Sequence, residues 1–178
     1  MKSSDDLIVL INTLLDFRKV EEGRMEYSFA RVKLNDIIQN VMTELETLAN
    51  EKKLKFTYKA SGEVFVNADA PKLKQVIQNF TDNAIKYTPE GFVHVELEEQ
   101  GKDVIVSLKD SGLGIVKDLT PHLFEEFIRD ERVKKEIKGT GLGLYIARKI
   151  VEAHGGSVWA ESEGESKGSI FYVKLKKA

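Results

Sequence analysis

Gln75-Val-Ile-Gln-Asn79-Phe-Thr-Asp-Asn83-Ala-Ile-Lys86-Tyr87 is the stretch that decides how this chain folds. At 100° per residue, Leu73, Val76, Ile77, Phe80, Ala84 and Tyr87 fall on one side of a helix, which predicts an apolar face laid on a sheet. Pro71 suits the first helical turn and Pro89 lies just past the end, so the spacing predicts a helix over about 71–88. Asn79, Asn83 and Lys86, at i, i+4 and i+7, form a second stripe along the edge of that face. Asn is a poorer helix former than Ala by roughly 0.6 kcal/mol per residue. Two in register at a core edge are either a solvated polar flank or a shelf for a ligand, and for the helix alone the flank is the better account.

Working outward, Leu34, Ile37, Ile38, Val41, Leu45 and Leu48 predict a second amphipathic helix, running to about Lys53. Residues 24–32 before it read as extended. Short strands are expected at 55–60 and 63–68, joined across Ser61-Gly62. Downstream, 92–98 and 104–109 alternate around Gly101-Lys102, a hairpin signal. Residues 111–141 are loop-rich, with one short helix near 121–128. A further helix covers about 142–153, and 157–162 and 169–176 close the chain as a last hairpin. Three long helices and about five strands, mostly antiparallel, give an α+β, two-layer sandwich. Residues 4–20 predict a separate N-terminal helix stopped at Gly23. Its run Leu7-Ile-Val-Leu-Ile11 is apolar almost all round, and such a helix wants partners on more than one side.

Composition narrows the classes. The chain has 178 residues, enough to bury a sizeable core, with 42% apolar and 31% charged residues. A net charge of −2 gives no global field toward nucleic acid or an anionic membrane. The absence of cysteine removes disulfides, zinc–thiolate sites and thiol nucleophiles, and suits a reducing, cytoplasmic location. No run approaches the ~20 apolar residues of a membrane span.

Two glycine loops change the weight given to the amide stripe. Asp110-Ser-Gly112-Leu-Gly114-Ile115 ends a strand with a carboxylate and two glycines. The carboxylate can accept from an exocyclic amine, and the glycines let backbone approach a planar base. Gly139-Thr140-Gly141-Leu142-Gly143 runs into a helix, which presents free N–H groups and the positive end of the helix dipole to an anion. Neither loop is specific alone, since Asp-x-Gly is also a common turn and the second is neither a dinucleotide fingerprint nor a P-loop. Together with the amide stripe they are the equipment for a nucleotide triphosphate and a divalent cation: an Asn oxygen suits Mg²⁺, and Lys86 offers phosphates a point charge.

In this order the elements resemble the catalytic, ATP-binding domain of a bacterial sensor histidine kinase, of the GHKL superfamily. Asn79 to Pro89 is similar to the family's asparagine box, and Asp110 to Gly114 to its first glycine box. Phe124-Glu-Glu-Phe127 resembles the phenylalanine box, Gly139 to Leu144 the second glycine box, and Gly168-Ser-Ile-Phe171 the terminal glycine segment. The resemblance implies ATP and Mg²⁺ as cofactors. It implies that Asn83 binds the metal, Asn79 supports phosphate or metal-bound water, Lys86 reaches the phosphates and Tyr87 packs near the adenine. Asp110 would accept from the adenine amine, with Gly112, Gly114 and Ile115 shaping the base pocket. Thr140, Gly141, Leu142 and Gly143 would wrap the phosphates as the hinge of a lid at 129–138, and Arg129 would contact the γ-phosphate.

By the same resemblance, residues 1–23 are the end of the second helix of a dimerisation and phosphoacceptor bundle, and 24–178 the catalytic domain. None of His94, His122 and His154 has the acceptor's helical His–acid pattern, and His154 reads as a cation at a helix C-terminus. The implied partners are the phosphoacceptor bundle of the parent kinase and, through it, a response regulator. The parent is expected to be a homodimer, membrane-anchored or not, with no nucleic acid bound and no membrane contact from this segment. Rival readings are a GHKL ATPase and a serine kinase of the anti-sigma type. The hydrolysing relatives carry a water-activating Glu at the position of Asn79, and an amide is a poor general base, so slow ATP hydrolysis is expected.

Overall fold

The computed structural model describes residues 2–132, 137 and 139–178. An N-terminal helix α1 (Lys2–Glu21) is followed by β1 (Ala30–Lys33), α2 (Leu34–Glu51), β2 (Lys55–Ala60), β3 (Phe65–Ala68) and α3 (Ala70–Lys86). Then come β4 (Phe92–Gln100), β5 (Asp103–Asp110), a 3₁₀ turn at Thr120–His122, α4 (Gly143–Ala153), β6 (Ser157–Glu161) and β7 (Ser169–Lys176). The main sheet has the order β2-β4-β5-β7-β6; β2 runs parallel to β4 and the other neighbours are antiparallel.

The alternation read in the sequence for β4 and β5 sets which way those strands face, and β7 follows the same pattern. Val93, Val95 and Leu97 of β4, Val104, Val106 and Leu108 of β5, and Phe171, Val173 and Leu175 of β7 are buried on one side. The stripes of α2, α3 and α4 cover them, with Leu34, Ile38 and Val41, Leu73, Ile77 and Phe80, and Ile146, Ile150 and Val151 all buried. Fully burying such a side chain is worth roughly 1.5–3 kcal/mol, so these three faces dock the helix layer. The result is the expected α+β two-layer sandwich.

Two local expectations fail. Residues 55–60 and 63–68 do not form a hairpin: β3 pairs with β1 in a separate two-stranded sheet, Val32 opposite Val66, while β2 takes the edge beside β4. Asn35 holds the intervening turn in place. Its amide donates to Gly62 O and its oxygen accepts from Val64 N, both at 2.8 Å, so it occupies the main-chain groups near the turn. The helix expected near 121–128 is only the 3₁₀ turn, and Phe127, at φ +61°, would end any right-handed helix running on from it.

α1 leaves Leu7, Ile8, Val9, Ile11 and Leu15 about half exposed. It is held at its C-terminal half. Asp16 pairs with Lys72 at 3.2 Å and accepts from Gln75 at 2.8 Å, and Phe17 meets the rings of Phe127 and Tyr145. Tyr145 OH donates to Glu21, and burial together with that acceptor pushes the phenol up to about 12. Among the described residues no helix is long and apolar enough to cross a membrane.

Candidate functional site

α3 begins at an N-cap that ties three segments together. The Asp69 carboxylate accepts from Lys72 N at 3.0 Å and from Ser28 N at 2.8 Å. Burial alone would raise its pKa, but the hydrogen bonds from those two amides outweigh it, with smaller contributions from the nearby His154 and Lys72, and hold the carboxyl below its ordinary value. The Asp69 N–H donates to His154 Nε2 at 3.0 Å, while His154 Nδ1 contacts Ile150 O at 2.7 Å. Those two contacts make the His154 ring, which sequence reading placed as a cation at the end of α4, a hydrogen-bonded link between α4 and α3.

With its apolar side fixed on the sheet, α3 turns its amide stripe toward a cavity of about 950 Å³. Asn79, Asn83, Lys86 and Tyr87 line it from α3. Asp110, Gly114 and Ile115 line it from the first glycine loop, and Thr140, Gly141 and Gly143 from the second. Arg129 stands at its edge beside Asp130. Eleven of the thirteen residues expected from the sequence therefore converge on one space. The other two support it from behind. Leu142 is fully buried in the core, and Gly112 lies under the end of α3. A Cβ on Gly112 would stand 2.3 Å from Tyr87 O and 2.9 Å from Asp110 Oδ1, so only glycine fits this close approach.

Asp110 is the least exposed acid of the site, at 4%. Burial pushes its carboxyl above the usual range, against the opposing hydrogen bonds from Ser169 Oγ and Gly112 N. Ser169 faces Asp110 directly across the β5–β7 ladder. Sequence reasoning placed Ser169 in a terminal glycine segment without giving it a role; only strand register reveals the pairing. Tyr87 is half-buried, and its phenol is raised by burial against the Arg129 charge. Lys86 pairs with Asp82 one turn back at 2.5 Å, and Asp82 is a cavity residue that the sequence reading left out.

The second glycine loop is locked to both neighbours. Asn79 Nδ2 donates to Gly143 O at 3.2 Å. Gly141 has φ +74°, and a Cβ there would come within 2.7 Å of the Phe127 backbone. α4 has no side-chain cap at its start, and Gly143 and Leu144 border the cavity, so its first N–H groups open toward that space. Of the expected lid, 133–136 and 138 lie outside the described residues. Arg129 Nη2 donates to Ile137 O, and Arg132 bridges Asp130, Glu165 and Gly114 O, which folds this stretch over the first glycine loop.

Among the described residues no group of three or more His, Cys, Asp or Glu could hold a metal by itself. The oxygen donors at the cavity include the amides of Asn79 and Asn83 and the carboxylates of Asp16, Asp82, Asp110 and Asp130. That set fits a hard cation completing its shell with water and ligand oxygens, as Mg²⁺ does.

The fold and the cavity define a nucleotide-binding α+β domain, and comparison with known proteins gives its class. Residues 68–178 match the family of histidine kinase-, DNA gyrase B- and HSP90-like ATPases, and the chain belongs to that family. The methyl sulfide methyltransferase-associated sensor of Methanosarcina acetivorans is 33% identical over 177 residues, 98% of this chain and 18% of that protein. Sensor histidine kinase GacS of Pseudomonas protegens is 33% identical over 183 residues, 98% of this chain and 20% of that protein. The chain thus spans about a fifth of the length of these curated relatives. Among solved structures, full-length ShkA in complex with AMPPNP matches with a TM-score of 0.88 at 28% identity, over 99% of this chain and 37% of that one. Histidine kinase ThkA in complex with the response regulator protein TrrA matches with a TM-score of 0.77 at 28% identity, over 98% of this chain and 49% of that one.

Proposed function

We propose that this chain is the ATP-binding kinase module of a two-component sensor histidine kinase. It would transfer the γ-phosphoryl of ATP to a histidine on a helical bundle that this segment does not carry. The observation that carries the reading is the convergence of the amide stripe, both glycine loops and Asp110 on one cavity. In this reading Asp110 accepts the adenine amine, Gly112, Gly114 and Ile115 shape the base pocket, and Tyr87 packs beside it. Asn79, Lys86 and the loop Thr140–Gly143 hold the phosphates, with Arg129 reaching the γ-phosphate. Asn83 would hold Mg²⁺, which neutralises the phosphate oxygens when bound. Lys86 must leave Asp82 to reach them, an exchange of one ionic partner for another.

Phosphoryl transfer then depends mostly on positioning and charge neutralisation. A neutral imidazole nitrogen offers its lone pair to the γ-phosphorus as the bond to the bridging oxygen breaks. ADP departs with that electron pair, and the ring proton passes to solvent. The position of Asn79 supports transfer over hydrolysis, because its amide is engaged with Gly143 O and cannot deprotonate water. The apolar, half-exposed run of α1 supports a bundle of helices from further segments, and so a dimeric parent. The ThkA–TrrA complex supports a response regulator as the downstream partner, and the absence of cysteine from the sequence suits a cytoplasmic location.

The test mixes this chain, ATP and Mg²⁺ with a helical-bundle fragment bearing an acceptor histidine. Acid-labile, base-stable phosphate on the fragment is the expected product. Phosphate on serine would favour the anti-sigma type of kinase, and rapid ATP hydrolysis with no phosphoprotein a conformational ATPase; either result overturns the proposal.

A further inference from the structure

The turn that ends α3 carries Lys86 and Tyr87, and its main-chain oxygens raise an accounting problem. A helix leaves its last carbonyls without intrahelical partners, and buried ones must find donors. Here each oxygen from Asn83 to Thr88 has at least one, Ile85 O also accepting from Thr88 N at 3.4 Å. Asn83 O accepts from Tyr87 N at 2.9 Å, and Ala84 O from Thr88 Oγ1 at 2.6 Å. Tyr87 O accepts from Leu113 N of the first glycine loop at 3.0 Å. Ile85 O, Lys86 O and Thr88 O converge on a single atom, Lys52 Nζ, at 2.6, 3.0 and 3.0 Å.

Lys52 comes from a distant part of the chain, the C-cap of α2. An ammonium has three donors, and all three are used on these carbonyls. The cation also sits at the negative end of the α3 dipole, where it is favoured. The side chain is half-buried, and burial lowers its pKa. Its contacts point to the backbone that aims Lys86 and Tyr87 and that receives the glycine loop through Leu113 and the close contact at Gly112.

We infer that Lys52 is a positioning residue of the nucleotide site, fixing the α3 C-terminal turn so that Lys86, Tyr87 and the Asp110 loop keep their relative placement. The inference rests on the nucleotide-binding reading above. Lys52 does not line the cavity and acts only through the turn. Arg in its place keeps the charge and donors, whereas Met keeps the stem and removes both.

Calorimetry with AMPPNP and Mg²⁺ on the 178-residue chain, paired with amide hydrogen exchange, tests this. Lys52→Met is expected to raise Kd by about tenfold and to speed exchange at Leu113 by a similar factor, with Lys52→Arg staying within about threefold of the parent. If the Met variant does not fold, Lys52→Gln, with an amide in place of three charged donors, is read by the same two measurements. A parent that binds and a variant that binds within about twofold of it, even with a lowered Tm, overturns the inference and leaves Lys52 a stability residue. A parent that binds no nucleotide overturns the reading beneath it, and the inference with it.

Discussion

Asn79 donates its side-chain amide to the main-chain oxygen of Gly143, 3.2 Å away, and so joins the middle of α3 to the first residue of α4. The bond ties the second glycine loop to the amide stripe at the cavity. Asn79→Ala removes the link, and Asn79→Asp replaces the donor with a charge facing a carbonyl. We expect AMPPNP–Mg²⁺ affinity to fall about tenfold for Ala and further for Asp, a loss of roughly 1.4 kcal/mol or more. Calorimetry on both variants checks the order, and equal affinities would show that the donor does not matter.

Asp110→Asn separates binding from stability. Burial raises the Asp110 carboxyl, so its ionised form costs the fold stability. For an acid whose folded pKa is raised, stability is complete below the unfolded pKa of about 3.9 and declines as pH climbs through the folded value. Asn carries no such cost. The variant is expected to melt at or above the parent at pH 7, with the gap closing toward pH 3, while nucleotide affinity drops at least about tenfold. Thermal melts across pH and calorimetry at pH 7 check both halves.

The glycines of the loops are not equivalent. A methyl on Gly112 meets Tyr87 O and one on Gly141 meets the Phe127 backbone, whereas one on Gly139 meets nothing within 4 Å. Gly112→Ala and Gly141→Ala are expected to lose nucleotide binding, and Gly139→Ala to keep it within about threefold. Fluorescent-nucleotide titration of the three variants side by side decides this.

The N-cap Asp69 governs acid stability. Although burial opposes it, the Ser28 and Lys72 amides, with smaller contributions from His154 and Lys72, depress its pKa. Its contribution is therefore present above about pH 4, the unfolded value, and is lost as pH falls toward the depressed folded one. Asp69→Ala is expected to cost about 1–2 kcal/mol at pH 7 in urea unfolding. The difference from the parent should shrink below about pH 4. A constant difference from pH 7 to pH 2 would refute this assignment.

Phe80 anchors the site from below. It is buried against Phe124, with ring centroids 6.3 Å apart, and Phe171, at 5.8 Å. Phe80→Ala is expected to cost roughly 3–5 kcal/mol, read as a lowered urea midpoint with AMPPNP affinity retained below the transition.

Much of the architecture was legible because side-chain period reports burial directly. The 3.6-residue stripes of α2 and α3 and the alternation of β4 and β5 placed most of the right residues inside, although Leu48 and Tyr87 are only half-buried and the fully buried Ile85 lay outside the stripe read for α3. Failures arose where a long-range contact overrode a local pattern. Residues 55–68 alternate as a hairpin would, yet their two strands find partners elsewhere in the chain, β4 for one and β1 for the other. The helix near 121–128 has the composition but not the backbone, since Phe127 turns left-handed under Gly141. The candidate site was legible as residue types: amides at i and i+4, an acid before glycines, and glycines before a helix.

The sequence by itself determined the layers, the faces of the helices and the chemical inventory of the cavity, because those follow from periodicity and from what each side chain can donate or accept. Tertiary structure alone decided which groups meet. Ser169 reaches Asp110 through strand register, Asn79 reaches Gly143 across two helices, and Lys52 gathers the carbonyls that end α3. Such pairings join residues 33 to 64 positions apart, a distance at which no local pattern carries information. They form only once burial has fixed the backbone and left each polar group without water to bind.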